Sequence, residues 1–198
     1  MHPFLTIYNQ KAVPKLKEGR TYVSSYLIPR VTKVSVNMGV GDTVGNGKAL
    51  EEVSELMTQI TGQKPAVTKA RKAIAGFKIR EAMPVGLKVT LRGARMNDFL
   101  IKLSQVVLPR TRDFRGLVPT SVTSDGNLNI GIRDTLIFPE VSQGTLSHGL
   151  QVTLVSNART QEEARILYES LGFVFQSAEE AATQARRGRR TNTNYKRS

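Results

Sequence analysis

VGLKVTLR, residues 85–92, alternates with a period of two. Val85, Leu87, Val89 and Leu91 fall on one side, Lys88, Thr90 and Arg92 on the other. Such a period describes a pleated strand with one apolar and one wet face. The same alternation recurs at 31–38, VTKVSVNM, where Val34, Val36 and Met38 oppose Lys33, Ser35 and Asn37. It returns at 128–133, with Leu128, Ile130 and Ile132 against Asn129 and Arg133, and at 150–155, with Leu150, Val152 and Leu154 against Gln151 and Thr153. Strands of a parallel sheet are covered on both faces and read as unbroken apolar runs. None of these four does. The expected fold class is therefore α+β: a mainly antiparallel sheet with helices packed on one face. The other face stays open and basic, carrying Lys33, Ser35, Asn37, Lys88, Thr90, Arg92, Asn129 and Arg133.

The helices are read from apolar spacing near 3.6 residues. One is expected over 4–18, where Pro14 should end or kink it. A second covers 48–60 with Leu50, Val53, Leu56, Met57 and Ile60 inward, and a third 94–108, followed by Pro109. A fourth begins at Thr160, three residues before Glu163 in capping-box spacing, and ends at Gly172. Residues 66–70 read as a short strand and 71–84 as a loop. This organisation predicts one domain over 1–175. Residues 176–198, polar and basic with RRGRR at 186–190, are expected to form a flexible tail.

A formal charge of +13 and a pI near 10.3 call for a polyanionic partner. With no cysteine in the chain, disulfides and thiolate metal sites are excluded. The opening residues lack a secretory h-region, and no run reaches membrane-spanning length, so an intracellular protein without membrane attachment is expected. GVGDTVGNGKA, residues 39–49, sits between a strand and a helix as a phosphate-binding loop would. However, Gly41 to Gly47 is one residue too long, and Ala49 lacks the hydroxyl that would hold magnesium. No nucleophile elbow or zinc-protease motif is present, and His148 reads as a turn residue. The chain is expected to have no enzymatic activity, no cofactor and no metal.

Nucleic acid is the better match. Residues 62–93 hold eight basic side chains against one acid, Glu81, and place Phe77 among them, where a base could stack. Asn37 and Thr90 share the open face with lysines and can meet 2′-hydroxyls and base edges. No strand carries the paired aromatics of an RNA-recognition motif.

Seven motifs in order then make a family recognisable: NMGVG (37–41), GQKP (62–65), TKARK (68–72), AGFKIR (75–80), KVTLRG (88–93), RDFRGL (112–117) and IFPE (137–140). Over residues 4–175 the chain resembles the fifth large-subunit ribosomal protein of bacteria, which binds 5S ribosomal RNA. The resemblance implies attachment of 5S rRNA to the central protuberance, alongside large-subunit rRNA. It implies RNA contacts by Lys33, Asn37, Gln63, Phe77 and Thr90, with Lys64, Thr68, Lys69, Arg71, Lys88 and Arg92 completing the expected set. It further implies that the loop over 73–83, with Ala73, Gly76, Lys78, Ile79, Arg80 and Met83, approaches the peptidyl-site tRNA. Another surface would bridge to the thirteenth small-subunit protein, with RDFRGL and 142–149 as candidate segments. The tail beyond Phe175 departs from the family pattern, as does Ala94, which stands where relatives often carry an acid.

Overall fold

The computed structural model describes residues 2–18, 22–41, 47–77, 79–112, 114–141 and 148–177, without the side chains of residues 47, 48 and 77. Five strands form one sheet: β1 (Val31–Gly39), β2 (Ala66–Lys69), β3 (Pro84–Leu91), β4 (Leu128–Ile132) and β5 (Leu150–Ser156). Their spatial order is β2-β3-β1-β5-β4, and every adjacent pair is antiparallel. The α+β reading with an antiparallel sheet holds.

Alternation explains what the sheet buries. Val34, Val36 and Met38 of β1, Leu87, Val89 and Leu91 of β3, and the matching apolar positions of β4 and β5 are all buried. Three helices supply the facing layer: α3 (Gly47–Thr61) through Val53, Leu56, Met57 and Ile60, α4 (Gly93–Lys102) through Met96, Phe99 and Leu100, and α6 (Gln161–Ser170) through Ala164, Leu167 and Tyr168. Each fully buried aliphatic side chain contributes roughly 1.5–3 kcal/mol relative to exposure, so this one-sided layer is the principal source of cohesion.

Two expectations about proline are corrected. Pro14 does not end the first helix. The run continues as α1 (Pro3–Ile7), a π-helical turn (Tyr8–Ala12) and α2 (Val13–Lys17). Pro109 likewise lies inside a helix rather than beyond it: α4 passes through a π turn (Leu103–Val107) into α5 (Leu108–Arg110). In both places the wide turn ends two residues before the proline. A proline fails in an α-helix because it lacks the N–H and its ring strikes the carbonyl four residues back. Shifting the preceding bonds to a five-residue spacing, as in Val13 N–H to Tyr8 O, relieves that clash.

The fourth helix starts as expected. Thr160 Oγ1 accepts from Glu163 N–H at 3.3 Å. The reciprocal bond is offset by one residue, with Glu163 Oε2 accepting from Arg159 N–H.

Tyr168 ties this helix to the sheet end. Its single hydroxyl proton is shared between the carbonyls of Gly126 at 3.0 Å and Leu154 at 3.2 Å, and its ring meets Phe173 edge-on at 6.2 Å. Burial pushes the phenol up to about 12, from an ordinary value of 10.0. A value raised in the folded state means that the neutral phenol's stabilisation is complete below about pH 10. It is lost as the pH climbs toward 12. Tyr168→Phe is expected to cost about 1–2 kcal/mol at pH 7 and to flatten the alkaline limb. Urea unfolding at pH 7 and across pH 9–12 checks both expectations.

Candidate nucleic-acid interface

The register assembles the open face into rows. One row runs Ala66, Lys88, Asn37, Gln151, Gly131 across β2, β3, β1, β5 and β4. The next runs Thr90, Ser35, Thr153, Asn129. Lys33 stands beyond it, opposite Val155. Lys88, Asn37 and Gln151 are exposed, and Thr90, Ser35, Lys33, Thr153 and Asn129 are half-buried between their neighbours. None of the five strands contains an aspartate or glutamate.

Thr68 and Lys69 join the face by two local devices. Thr68 lies opposite Gly86, where a Cβ would come within 2.9 Å of Thr68 Oγ1 and 3.1 Å of Met38 O. Only a glycine lets the threonine hydroxyl lie across β3 at this point. A bulge after Thr68 then sets Lys69 opposite Pro84, which shares the open-face parity of Gly86 and Lys88.

The remaining expected residues sit around the rim. Arg92 and Arg133 are exposed and fall just past the ends of β3 and β4, outside the ladder. Arg92 occupies the cap position of α4, without a side-chain capping bond. Lys64 is exposed ahead of β2. Gln63 is half-buried where α3 ends. There the Thr61 hydroxyl accepts from Gln63 N–H at 3.3 Å and reaches the carbonyls of Met57 at 2.7 Å and Gln63 at 3.0 Å. That hydroxyl fixes the backbone from which Gln63 projects.

Residues 70–83 prove more ordered in their bonding than the loop expected from sequence. Ala70 N–H donates to Met83 O at 2.8 Å, and Ala82 N–H to Ala70 O at 3.0 Å, closing a neck. Further out, Ile74 and Ile79 exchange both backbone bonds, at 2.9 and 3.2 Å, below a 3₁₀ turn at Ala75–Phe77. The segment is thus a narrow arm continuing the β2–β3 hairpin. Arg71, Ala73, Gly76 and Arg80 are exposed on it, while Ile79 and Met83 are half-buried. Lys78 and the side chain of Phe77 lie outside the described residues, as do 42–46 of the glycine-rich turn, Asp113 of RDFRGL, 142–147, and 178–198 of the tail.

Gln151 and Thr153 are missing from the platform inferred from the sequence, although their outward parity is readable there. They stand at its centre because β5 lies between β1 and β4. His148 is half-buried, with its N–H 3.4 Å from Thr135 Oγ1, and takes no part in this face.

Two family descriptions match the chain: "ribosomal protein L5" over residues 24–80 and "ribosomal L5P family C-terminus" over 84–175. Among curated relatives, the large ribosomal subunit protein uL5 of Synechocystis sp. is 49% identical over 174 residues, spanning 87% of this chain and 97% of the relative. The uL5 of Acaryochloris marina is 51% identical over 172 residues, spanning 86% and 95%. That of Lactobacillus delbrueckii subsp. bulgaricus is 48% identical over 174 residues, spanning 87% and 97%.

Proposed function

Since the chain belongs to the ribosomal protein L5 family, whose members are structural and non-enzymatic constituents of the large ribosomal subunit in the bacterial cytoplasm, we propose that its open sheet face binds 5S rRNA and helps attach it to the central protuberance. The observation that carries this reading is the one-sided sheet. Its wet face presents Lys33, Lys88, Asn37 and Thr90 together, and its strands hold no acidic residue. Lysines there offset phosphate charge and release counterions, while Asn37, Gln63 and Thr90 supply directional hydrogen bonds. Lys64, Thr68, Lys69, Arg71 and Arg92 extend the contact along β2 and the rim, and Phe77 offers a ring for base stacking.

The arm over 73–83 is the proposed contact with the peptidyl-site tRNA. Its clamped neck suits an element that positions a ligand at a distance from the sheet. The proposed bridge to the thirteenth small-subunit protein falls to the segments around RDFRGL and 142–149. Residues 1–175 would act as one RNA-binding domain, with the basic tail adding contacts that depend on charge and not on sequence.

A gel shift comparing 5S rRNA with an unrelated structured RNA of equal length tests the central claim. Preferential binding to 5S rRNA is expected, and equal affinity would remove the specific assignment. Within that assay, Thr90→Val should weaken binding about fivefold at an unchanged melting temperature. Unaltered affinity would show that Thr90 makes no contact.

A further inference from the structure

The open face is not uniform. Within the ladder β4 and β5 contain no charged residue, with Arg133 just past the end of β4, whereas β2 and β3 carry Lys69 and Lys88. The sheet therefore grades from a cationic half to a neutral half, with β1 between them. On the neutral half, Thr153 Oγ1 donates to Asn129 Oδ1 at 2.7 Å, between directly paired residues. With its oxygen engaged, the Asn129 amide is oriented so that its NH₂ remains a donor. The Thr153 oxygen, having given its proton, retains lone pairs as an acceptor. Donor and acceptor thus stand side by side on neighbouring strands, about 5 Å apart at the backbone.

A ribose 2′-hydroxyl needs that pairing, since it both donates and accepts. A phosphate oxygen only accepts, and its charge favours the lysines. Building on the 5S rRNA reading, we infer that the two halves of the face read different parts of one RNA. The cationic half over β2 and β3 takes the phosphate backbone, and Asn129, held by Thr153, binds a ribose 2′-hydroxyl over β4 and β5. Asn129 donates to the 2′-hydroxyl, and Thr153 both orients the Asn129 amide and accepts the 2′-hydroxyl's proton in a hydrogen bond. The row from Thr90 to Asn129 crosses three strand intervals, about 14 Å, enough to span the shallow minor groove of an A-form helix. The RNA consequently lies across the strands, not along the β2–β3 edge alone.

The experiment measures 5S rRNA affinity of the full chain at several salt concentrations for wild type, Thr153→Val, Thr153→Ser, Asn129→Leu and Lys88→Ala, with melting temperatures as folding controls. Thr153→Val and Asn129→Leu should each weaken binding about fivefold with the salt slope unchanged. Thr153→Ser should bind as wild type does, and Lys88→Ala should make the slope about one unit shallower. In parallel, 5S rRNA transcripts bearing scattered 2′-deoxynucleotides are selected for binding. Wild type should discriminate against deoxy substitution at a ribose where Thr153→Val no longer does. If Thr153→Val and Asn129→Leu bind within twofold of wild type while Lys88→Ala is weakened, the RNA stops short of β5. The inference then falls and the 5S reading stands. If Thr153→Val also flattens the salt slope, the neutral half is meeting phosphate and the inference is overturned. Should none of the variants, Lys88→Ala included, change affinity, the open face is not the RNA site and both readings fail.

Discussion

Gly126→Val is expected to destabilise the protein by about 4 kcal/mol or more, which lowers the melting temperature by roughly 8–16 °C for a chain of this size. Three causes converge on this position. Gly126 has φ +76°, a left-handed conformation that is worst for a β-branched residue. An added Cβ would sit 3.0 Å from both Ala158 Cβ and Ala158 O, and 3.2 Å from Ser156 Oγ. The backbone carbonyl cannot swing away as a flexible side-chain tip could, so the turn itself must move. That turn is where Gly126 O accepts from the Tyr168 hydroxyl at 3.0 Å and from Ser156 Oγ at 2.7 Å. Shifting it weakens both bonds and leaves the phenol with Leu154 O alone, a further cost of about 0.5–1.5 kcal/mol per bond. Since whole domains are stable by only about 5–15 kcal/mol, much of the folded population at physiological temperature is at stake. Chemical denaturation of Gly126→Val beside Gly126→Ala, which shares the φ penalty without the branched carbon, checks this. A loss below 1 kcal/mol for the valine variant would show that the turn is loosely held.

The pleat of β1, β3, β4 and β5 is legible in the sequence because side-chain parity is a local property. Val34, Val36 and Met38 must lie on one side and Lys33, Ser35 and Asn37 on the other wherever the strand goes. Parity also implies the antiparallel sheet covered on one face, since a strand with one wet side cannot be sandwiched between helices. What parity does not encode is which strand lies beside which. Gln151 and Thr153 read as outward-facing in the sequence. Their position beside Ser35 and Asn37 depends on β5 pairing with β1 across more than a hundred residues of chain, a choice made by the packing of whole faces. That Pro14 and Pro109 lie within their helices is hidden for a related reason. Pro14 and Pro109 are helix breakers under α-helical bonding, and only the π turns at Tyr8–Ala12 and Leu103–Val107 let the helices continue. No local motif announces those turns. The arm between Ala70 and Met83 is similar: its glycine and alanines suggest a loop, while the Ile74–Ile79 bonds that narrow it are backbone to backbone and leave no mark on residue type.

Reversing two charges on the open face, Lys33→Glu with Lys88→Glu, is expected to weaken 5S rRNA binding about 10²–10³-fold at physiological salt, with stability changed by about 0.5 kcal/mol or less per site. Neither lysine is ion-paired among the described residues, so no native contact is broken in the free protein. Lys88 is exposed and Lys33 half-buried on the wet side of their strands, with ladder bonds made by the backbone alone. The effect should therefore appear in binding. Each reversal removes one phosphate partner and places a carboxylate where the strands otherwise carry no acid, so attraction becomes repulsion at the same spot. Net charge is not the cause, because a chain at +13 stays strongly cationic after losing four units. That separates a located interface from diffuse attraction. If overall charge alone drew the RNA, the double variant would bind nearly as wild type does, and reversing two lysines remote from the face, Lys11 and Lys15, would do equal harm. A located interface predicts a large loss for the first pair and a small one for the second. The first pair should also show a salt slope about two units shallower than wild type, because two counterion-releasing contacts are gone.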